Sequence, residues 1–257
     1  MDQSLTDLFQ MTGTGVVSII GAGGKTSLMF CLAKELAGAG KKVLTTTTTH
    51  IFMPGSDQSP HLLMADTAAA LVEGCRSTLD RFPHFSAASR SLPDQGKLKG
   101  FTPQILDHLW QASLFDWILV EADGAKGRPL KATDRHEPVV PRSTTHLIHV
   151  SGLDGLGNPL DEVSVHRAPL FSANTGLALG AVIDEEAMAE SAVQEIQKAA
   201  AMSFPRVQKF ALLNKADNLH RQRCGEKIAE LLQARQHLDR IVMAALQDPD
   251  PIKKAWA

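Results

Sequence analysis

Lys25 and Thr26 follow Gly21-Ala22-Gly23-Gly24 and precede Ser27, between an apolar run, Val16 to Ile20, and a helix-like run, Leu28 to Ala37. A strand, a glycine turn and a Gly-Lys-Thr helix start form the layout of a phosphate-binding loop. Glycines let backbone N–H groups crowd toward an anion, and the helix N-terminus adds unsatisfied N–H groups and a positive dipole end. Lys25 would reach the outer phosphates of a nucleoside triphosphate, and the Thr26 hydroxyl would ligate Mg²⁺. The commonest loop puts its first glycine where Ile19 stands, so this loop is shorter or differently bent.

Asn214-Lys215-Ala216-Asp217 directly follows a predicted strand, Val207 to Leu213. A carboxylate there accepts from both N1–H and the exocyclic 2-amino group of guanine, donors that adenine lacks. A site built on such an acceptor discriminates strongly against a base without them. Asn214 would touch the base or brace the phosphate loop, and the Lys215 stem would lie along the base. The alternative for Asp217 and Asn218 is a helix N-cap. Ala244-Ala245-Leu246 ends a further strand, where the N–H of Ala245 would face the guanine O6.

Glu121-Ala122-Asp123-Gly124 ends the clearest buried strand, Phe115 to Ala122. Carboxylates at the C-terminal end of a parallel strand sit where ligands bind. Glu121 would hold Mg²⁺ with Thr26, Asp123 or a group from a partner would orient water, and Gly124 would offer its N–H to the γ-phosphate. Thr48 or Thr49, at the end of a five-threonine strand, would stand behind the metal or simply fill the strand. Lys126, Arg128 and Lys131 would contact phosphates or an acidic partner, or lie in a solvated loop. His166-Arg167 offers a further phosphate contact. His146 and His149 point to opposite faces of one strand and form no metal pair.

These groups need a scaffold. Predicted strands alternate with helices, which points to a P-loop NTPase-like α/β fold with a mainly parallel sheet covered on both faces. Residues 1–257 are expected to form one nucleotide-binding domain, with a small excursion at 123–145. The segment Leu92 to Gly100 reads as loop, Arg167 to Gly180 and Asn218 to His237 as helices, and nothing regular is predicted after Leu246. The net charge of −2 argues against a sequence-independent nucleic-acid binder. Cys31, Cys75 and Cys224 are odd in number and far apart, against a disulfide framework. Met1 to Gln10 lacks a basic, apolar leader, and no run approaches membrane-spanning length. A cytoplasmic protein without nucleic-acid or membrane partners is expected.

The short Gly-x-x-Gly-Lys-Thr form resembles that of amino-acid ligases of the cell-wall type, which leaves ATP as the alternative to GTP. The order of phosphate loop, Glu-x-x-Gly, Asn-Lys-x-Asp and Ala-Ala-Leu resembles guanine-nucleotide proteins of the metallochaperone type. The whole chain is more closely similar to the YqeC-like family, described as accessory proteins of selenium-dependent hydroxylases. Gly21 to Thr26, the threonine strand through Pro54, Val120 to Lys131, Glu137-Pro138 and Asn214 to Asp217 carry that resemblance; Thr133 departs from it where a proline is expected. The resemblance implies a factor that helps install selenium in, or mature the cofactor of, a molybdenum hydroxylase. Its partners would be that client metalloenzyme or other maturation factors. The sequence leaves the oligomeric state open, although nucleotide-sandwiched homodimers are common among the proteins it resembles. Slow, Mg²⁺-dependent hydrolysis of GTP is the expected activity; a non-catalytic nucleotide-binding module is the remaining alternative.

Overall fold

In a computed structural model of the chain, residues 3–203, 207–235 and 237–257 are described. The elements run α1 (Leu5–Leu8), β1 (Gly15–Gly21), α2 (Lys25–Gly38), β2 (Val43–Thr47), β3 (His50–Phe52), β4 (Leu62–Met64), α3 (Ala68–Leu79), β5 (His84–Ala88), β6 (Arg90–Leu92), β7 (Lys97–Lys99) and α4 (Pro103–Gln111). They continue with β8 (Trp117–Glu121), β9 (Leu130–Lys131), β10 (His146–Gly152), β11 (Val165–His166), α5 (Ala168–Thr175), α6 (Glu185–Ala200), β12 (Gln208–Asn214), α7 (Leu219–Arg235), β13 (Arg240–Ala244) and β14 (Ile252–Trp256).

Nine strands form one sheet in the order β14-β13-β12-β10-β1-β8-β2-β5-β4, parallel except for β14. A continuous apolar strand such as β1, buried at every position, suits the middle of a parallel sheet with both faces covered. The side-chain period of two divides it. Val17 and Ile19 pack with α1 and α2 on one face. Val16 packs with α3 and α4 on the other face, and Ile20 packs there with α5, α6 and α7.

The chain builds one half of the sheet first, inserts β8 between β1 and β2, and then crosses to place β10 on the other side of β1. The strand order thus reverses at β1, where open α/β sheets bind ligands beyond their carboxyl ends. Register aligns Ile19 with Glu121 on β8 and Gly21 with Val150 on β10, so the glycine loop and the acidic strand end leave the sheet together.

The threonines of β2 are structural. Thr45 Oγ1 lies 2.7 Å from Ser86 Oγ, and Thr46 and Thr47 donate to the carbonyls of Ala87 and Glu121 at 2.8 and 2.7 Å. Thr48 donates to the Val139 carbonyl at 2.7 Å.

The structure departs from these expectations in three places. Leu92 to Gly100 contains β7, which joins β3 and β6 in a small antiparallel sheet and buries Leu98. Its single apolar residue between two lysines is too short for alternation to register. The helix expected to reach Gly180 stops at Thr175, where Gly176 turns left-handed at φ 76°. β14, half-buried and rich in lysine, pairs antiparallel at the edge and offers no apolar run. The last helix is described only to Arg235, and position 236, within its predicted span, lies outside the described residues, as do Met1 and Asp2. Between 123 and 145 the chain is irregular apart from β9, which pairs with β11 in a separate two-stranded sheet.

Candidate functional site

The turn between β1 and α2 is held from its root. Gly21 N–H donates to Asp123 Oδ2 at 2.9 Å, and Ala22 N–H donates to the Val150 carbonyl at 2.8 Å. These two amides, expected to face an anion, are therefore committed to the protein, because the strand keeps its register through Gly21. From Gly23 onward the backbone turns away. Gly23, Gly24, Lys25, Thr26 and Ser27 have N–H groups with no acceptor among the described residues, the first helical bond being Leu28 N–H to the Gly24 carbonyl at 2.9 Å. Gly24 has φ 134°, and a side chain there would run into the Asn214 amide. A side chain on Gly23 would collide with the backbone of Gly152. The glycines thus serve close approach of neighbouring segments as well as backbone reversal.

Four side chains meet beside these amides. Lys25 Nζ donates to the Gly21 carbonyl at 2.7 Å and lies 3.0 Å from Asp123 Oδ1 and 3.7 Å from Glu121 Oε1. Thr26 Oγ1 donates to Glu121 Oε2 at 2.6 Å. Burial pulls the Lys25 ammonium toward its neutral form, but the two carboxylates outweigh it together and its pKa lies above the ordinary value. Burial raises the Glu121 carboxyl, against the opposing pull of Lys25 and the Thr26 hydroxyl.

Asp123 was expected to orient water. It has no exposed surface and sits between two ammonium groups, because Lys131 Nζ lies 3.0 Å from its Oδ2. Lys131 is itself buried, and it donates to the Gly124 carbonyl and to Glu137 Oε2, each at 2.9 Å. Glu137 also accepts from Arg167 Nη1 at 2.8 Å, and Arg167 Nη2 lies 2.9 Å from Asp134. Burial alone would raise the Glu137 carboxyl, but Arg167 and Lys131 bring it down to about 2. Lys131 is thus neither a solvated residue nor an open phosphate contact in this conformation. Its place was not readable from sequence, since no local spacing encodes a partner across a glycine- and proline-rich loop. Lys126 is exposed and Arg128 half-buried on that loop, and His166 is half-buried on β11, its pKa lowered by burial first and by Arg167 and Lys126 next.

On the far side of the loop, Asn214 ends β12 and clamps two segments. Its Nδ2 donates to the Gly23 carbonyl at 2.8 Å, and its Oδ1 accepts from Leu246 N–H at 3.2 Å. It braces the glycine loop, one of the two roles expected of it. Lys215 is left-handed at φ 65°, and its Nζ pairs with Asp154 at 2.6 Å. Asp217 is exposed, with both oxygens taken by Arg221 Nη1 at 2.6 and 2.8 Å. The N-cap role falls to Asn218, whose Oδ1 accepts from Arg221 N–H at 2.9 Å. The Ala245 N–H, expected toward a guanine oxygen, donates instead to the Pro251 carbonyl at 2.8 Å, because the turn into β14 folds back over it.

His149 and Glu195 form a buried pair behind the loop, Nε2 to Oε2 3.0 Å, which ties α6 to β10. His146, on the opposite face, stacks on Phe210 with ring centroids 5.8 Å apart. Among the described residues no helix is long and apolar enough to cross a membrane.

The donor set at Thr26 and Glu121 consists of hard oxygens 2.6 Å apart. It fits Mg²⁺, which takes one or two protein oxygens and fills its remaining positions with water and phosphate. A run of free amides, a lysine and a hydroxyl-carboxylate pair at the switch point of a parallel sheet make this a P-loop NTPase-like α/β fold.

Among solved structures, chloroplast FtsY from Physcomitrella patens aligns over 96% of this chain and 69% of its own at 15% identity and a TM-score of 0.45. FtsY from Mycoplasma mycoides aligns over 93% and 65% at 13% identity and a TM-score of 0.43. Likeness of that degree carries no argument about a ligand. The uncharacterized protein YqeC of Escherichia coli (strain K12) is 44% identical over 168 residues, 65% of this chain and 63% of that protein. The match therefore spans less than two thirds of that relative's length. The family model described as YqeC protein matches residues 17–169, which hold the glycine loop, the acidic strand end and Lys131, Glu137 and Arg167. With well over half of its residues inside that match, the chain belongs to the YqeC protein family.

Proposed function

We propose that the protein binds a nucleoside triphosphate with Mg²⁺ at the loop 21–27, prefers GTP and hydrolyses it slowly. The observation that carries this is the unbroken run of unpartnered amides from Gly23 to Ser27, set beside Lys25 and the Thr26–Glu121 pair. Polyphosphate oxygens are the ligands such a run suits, since each N–H lacks an acceptor and the α2 dipole favours negative charge. Lys25 would exchange its carboxylates for the outer phosphates. Thr26 and Glu121 would hold Mg²⁺, whose chemistry there is neutralisation of phosphate charge. Gly124, half-exposed at the end of the acidic segment, would offer its N–H to the γ-phosphate.

The preference for guanine rests on Asn214, Lys215 and Asp217. Asp217 is exposed beside the loop-clamping Asn214, and Arg221 would have to release it for a base. Ala245 would need to exchange its bond to Pro251 to contact the base. These two bonds favour ATP as the second reading. Slow hydrolysis accords with the burial of Asp123, which leaves the water-orienting role to a partner. In the cell, we assign the protein to the cytoplasm as an accessory factor for a selenium-dependent molybdenum hydroxylase, the role described for the family it resembles.

Calorimetry with GTP and ATP in Mg²⁺ buffer tests the nucleotide. GTP is expected to bind tightly, and Asp217→Asn to weaken GTP by about tenfold or more while leaving ATP unchanged. Tight ATP binding without GTP binding removes the guanine assignment, and no binding of either removes the site. The selenium content of the hydroxylase from cells lacking this protein tests the client. Normal content would end the accessory role.

A further inference from the structure

We propose that Lys131 is the fixed counter-ion that lets Lys25 leave Asp123 for a phosphate, which makes it a positioning residue of the nucleotide site. The proposal rests on the triphosphate-binding function above. It starts from the two oxygens of Asp123. Oδ1 lies 3.0 Å from Lys25 Nζ, Oδ2 lies 3.0 Å from Lys131 Nζ, and the carboxylate has no exposed surface. Oδ2 also accepts the Gly21 N–H at 2.9 Å, so this carboxylate anchors the root of the glycine loop and cannot swing out to water without releasing it.

The two lysines differ in how they are held. Lys131 is enclosed by three acceptors, Asp123, Glu137 and the Gly124 carbonyl, all within 3.0 Å. Glu137 is fixed from behind by Arg167, which is paired with Asp134, so signs alternate along Lys25, Asp123, Lys131, Glu137, Arg167 and Asp134. Lys25 stands at the other end of that row, 3.7 Å from Glu121 and beside the free amides of its own helix turn.

A phosphate that draws Lys25 away removes one of two cations from a carboxylate with no access to water. With Lys131 in place, Asp123 keeps a cation and its bond from Gly21. Without Lys131, the same step would leave a buried carboxylate with no cation, which is strongly unfavourable. Lys25 would then stay on Asp123 and oppose the ligand. Lys131 therefore acts through Asp123, never touching the nucleotide.

The test is a double-mutant cycle read by calorimetry with Mg²⁺ and GTP. Lys131→Met, of similar length and no charge, is expected to weaken binding by about tenfold or more relative to wild type. Asp123→Asn removes the charge that needs compensation, so the D123N/K131M double variant is expected to bind within about threefold of D123N alone. A residue that only supports the fold would give additive losses. K131M binding like wild type, or a double variant as weak as the product of the two losses, overturns the proposal. Failure of the wild-type protein to bind any triphosphate would instead remove the nucleotide site itself. A crystal structure of wild type with a non-hydrolysable triphosphate settles the point even if K131M fails to fold. It should place Lys25 on phosphate and keep Lys131 on Asp123; Lys25 remaining on Asp123, or Lys131 turned away, overturns the proposal.

Discussion

The loop lysine, two carboxylates and a threonine hydroxyl meet in one corner, where Lys25 faces both carboxylates and Lys131 supplies the second positive charge before any ligand arrives. Removing the lysine therefore does two things. Lys25→Ala deletes the group that would meet the outer phosphates and leaves Asp123 and Glu121 repelling each other. Triphosphate affinity should fall by about a hundredfold or more, as expected for a charge-assisted contact in a desolvated site. Unchanged binding in calorimetry would show that the ligand sits elsewhere. Glu137 makes a second test, of pH. Its carboxyl lies at about 2 in the fold against an ordinary value of 4.5. The native state thus binds fewer protons than the unfolded chain in this window. The stability it contributes is whole above about pH 4.5 and is lost as pH falls toward 2. The full shift corresponds to about 3 kcal/mol at most. Urea unfolding at pH 6 and pH 3 should show a smaller loss for Glu137→Gln than for wild type, and equal losses would mean that the carboxylate is not held this way.

At the scale of elements, Asn214 is the joint between the two halves of the site. It holds the Gly23 carbonyl with one end and the Leu246 N–H with the other, linking the loop after β1 to the ends of β12 and β13. Asn214→Ala leaves both backbone groups without that partner. A loss of about 1–3 kcal/mol of stability is expected from denaturant melts, together with weaker triphosphate binding. A variant as stable as wild type would mean water replaces the clamp at no cost. The loop and its flanking elements were legible because strand, glycine turn and helix are adjacent in sequence. The clamp was legible only as one of two options for Asn214. The antiparallel pairing of β3, β6 and β7 was not, since three-residue strands carry too little alternation. The edge strand β14 was missed for a similar reason, and with it the partner that occupies the Ala245 N–H.

For the whole molecule, the reversal of strand order at β1 gathers the segments after β1, β2, β8, β10 and β12 at one edge of the sheet. Loops leaving that edge are the ones a ligand would order. Limited proteolysis with and without GTP and Mg²⁺ should show protection within 52–60 and 123–142. An unchanged cleavage pattern would argue that the nucleotide leaves these loops as they are.

The α/β alternation, the glycine loop at a helix start and the carboxylates at a strand end could be read along the chain, because each depends on neighbours within a few residues. Which cation meets which anion is set across the sheet, between segments far apart in the chain. Asp123 became a buried link between Lys25 and Lys131, and Lys131 a core residue, because those distances are set by strand register and loop path across the sheet. Electrostatic pairing falls off with distance in space, and local periodicity holds no record of it.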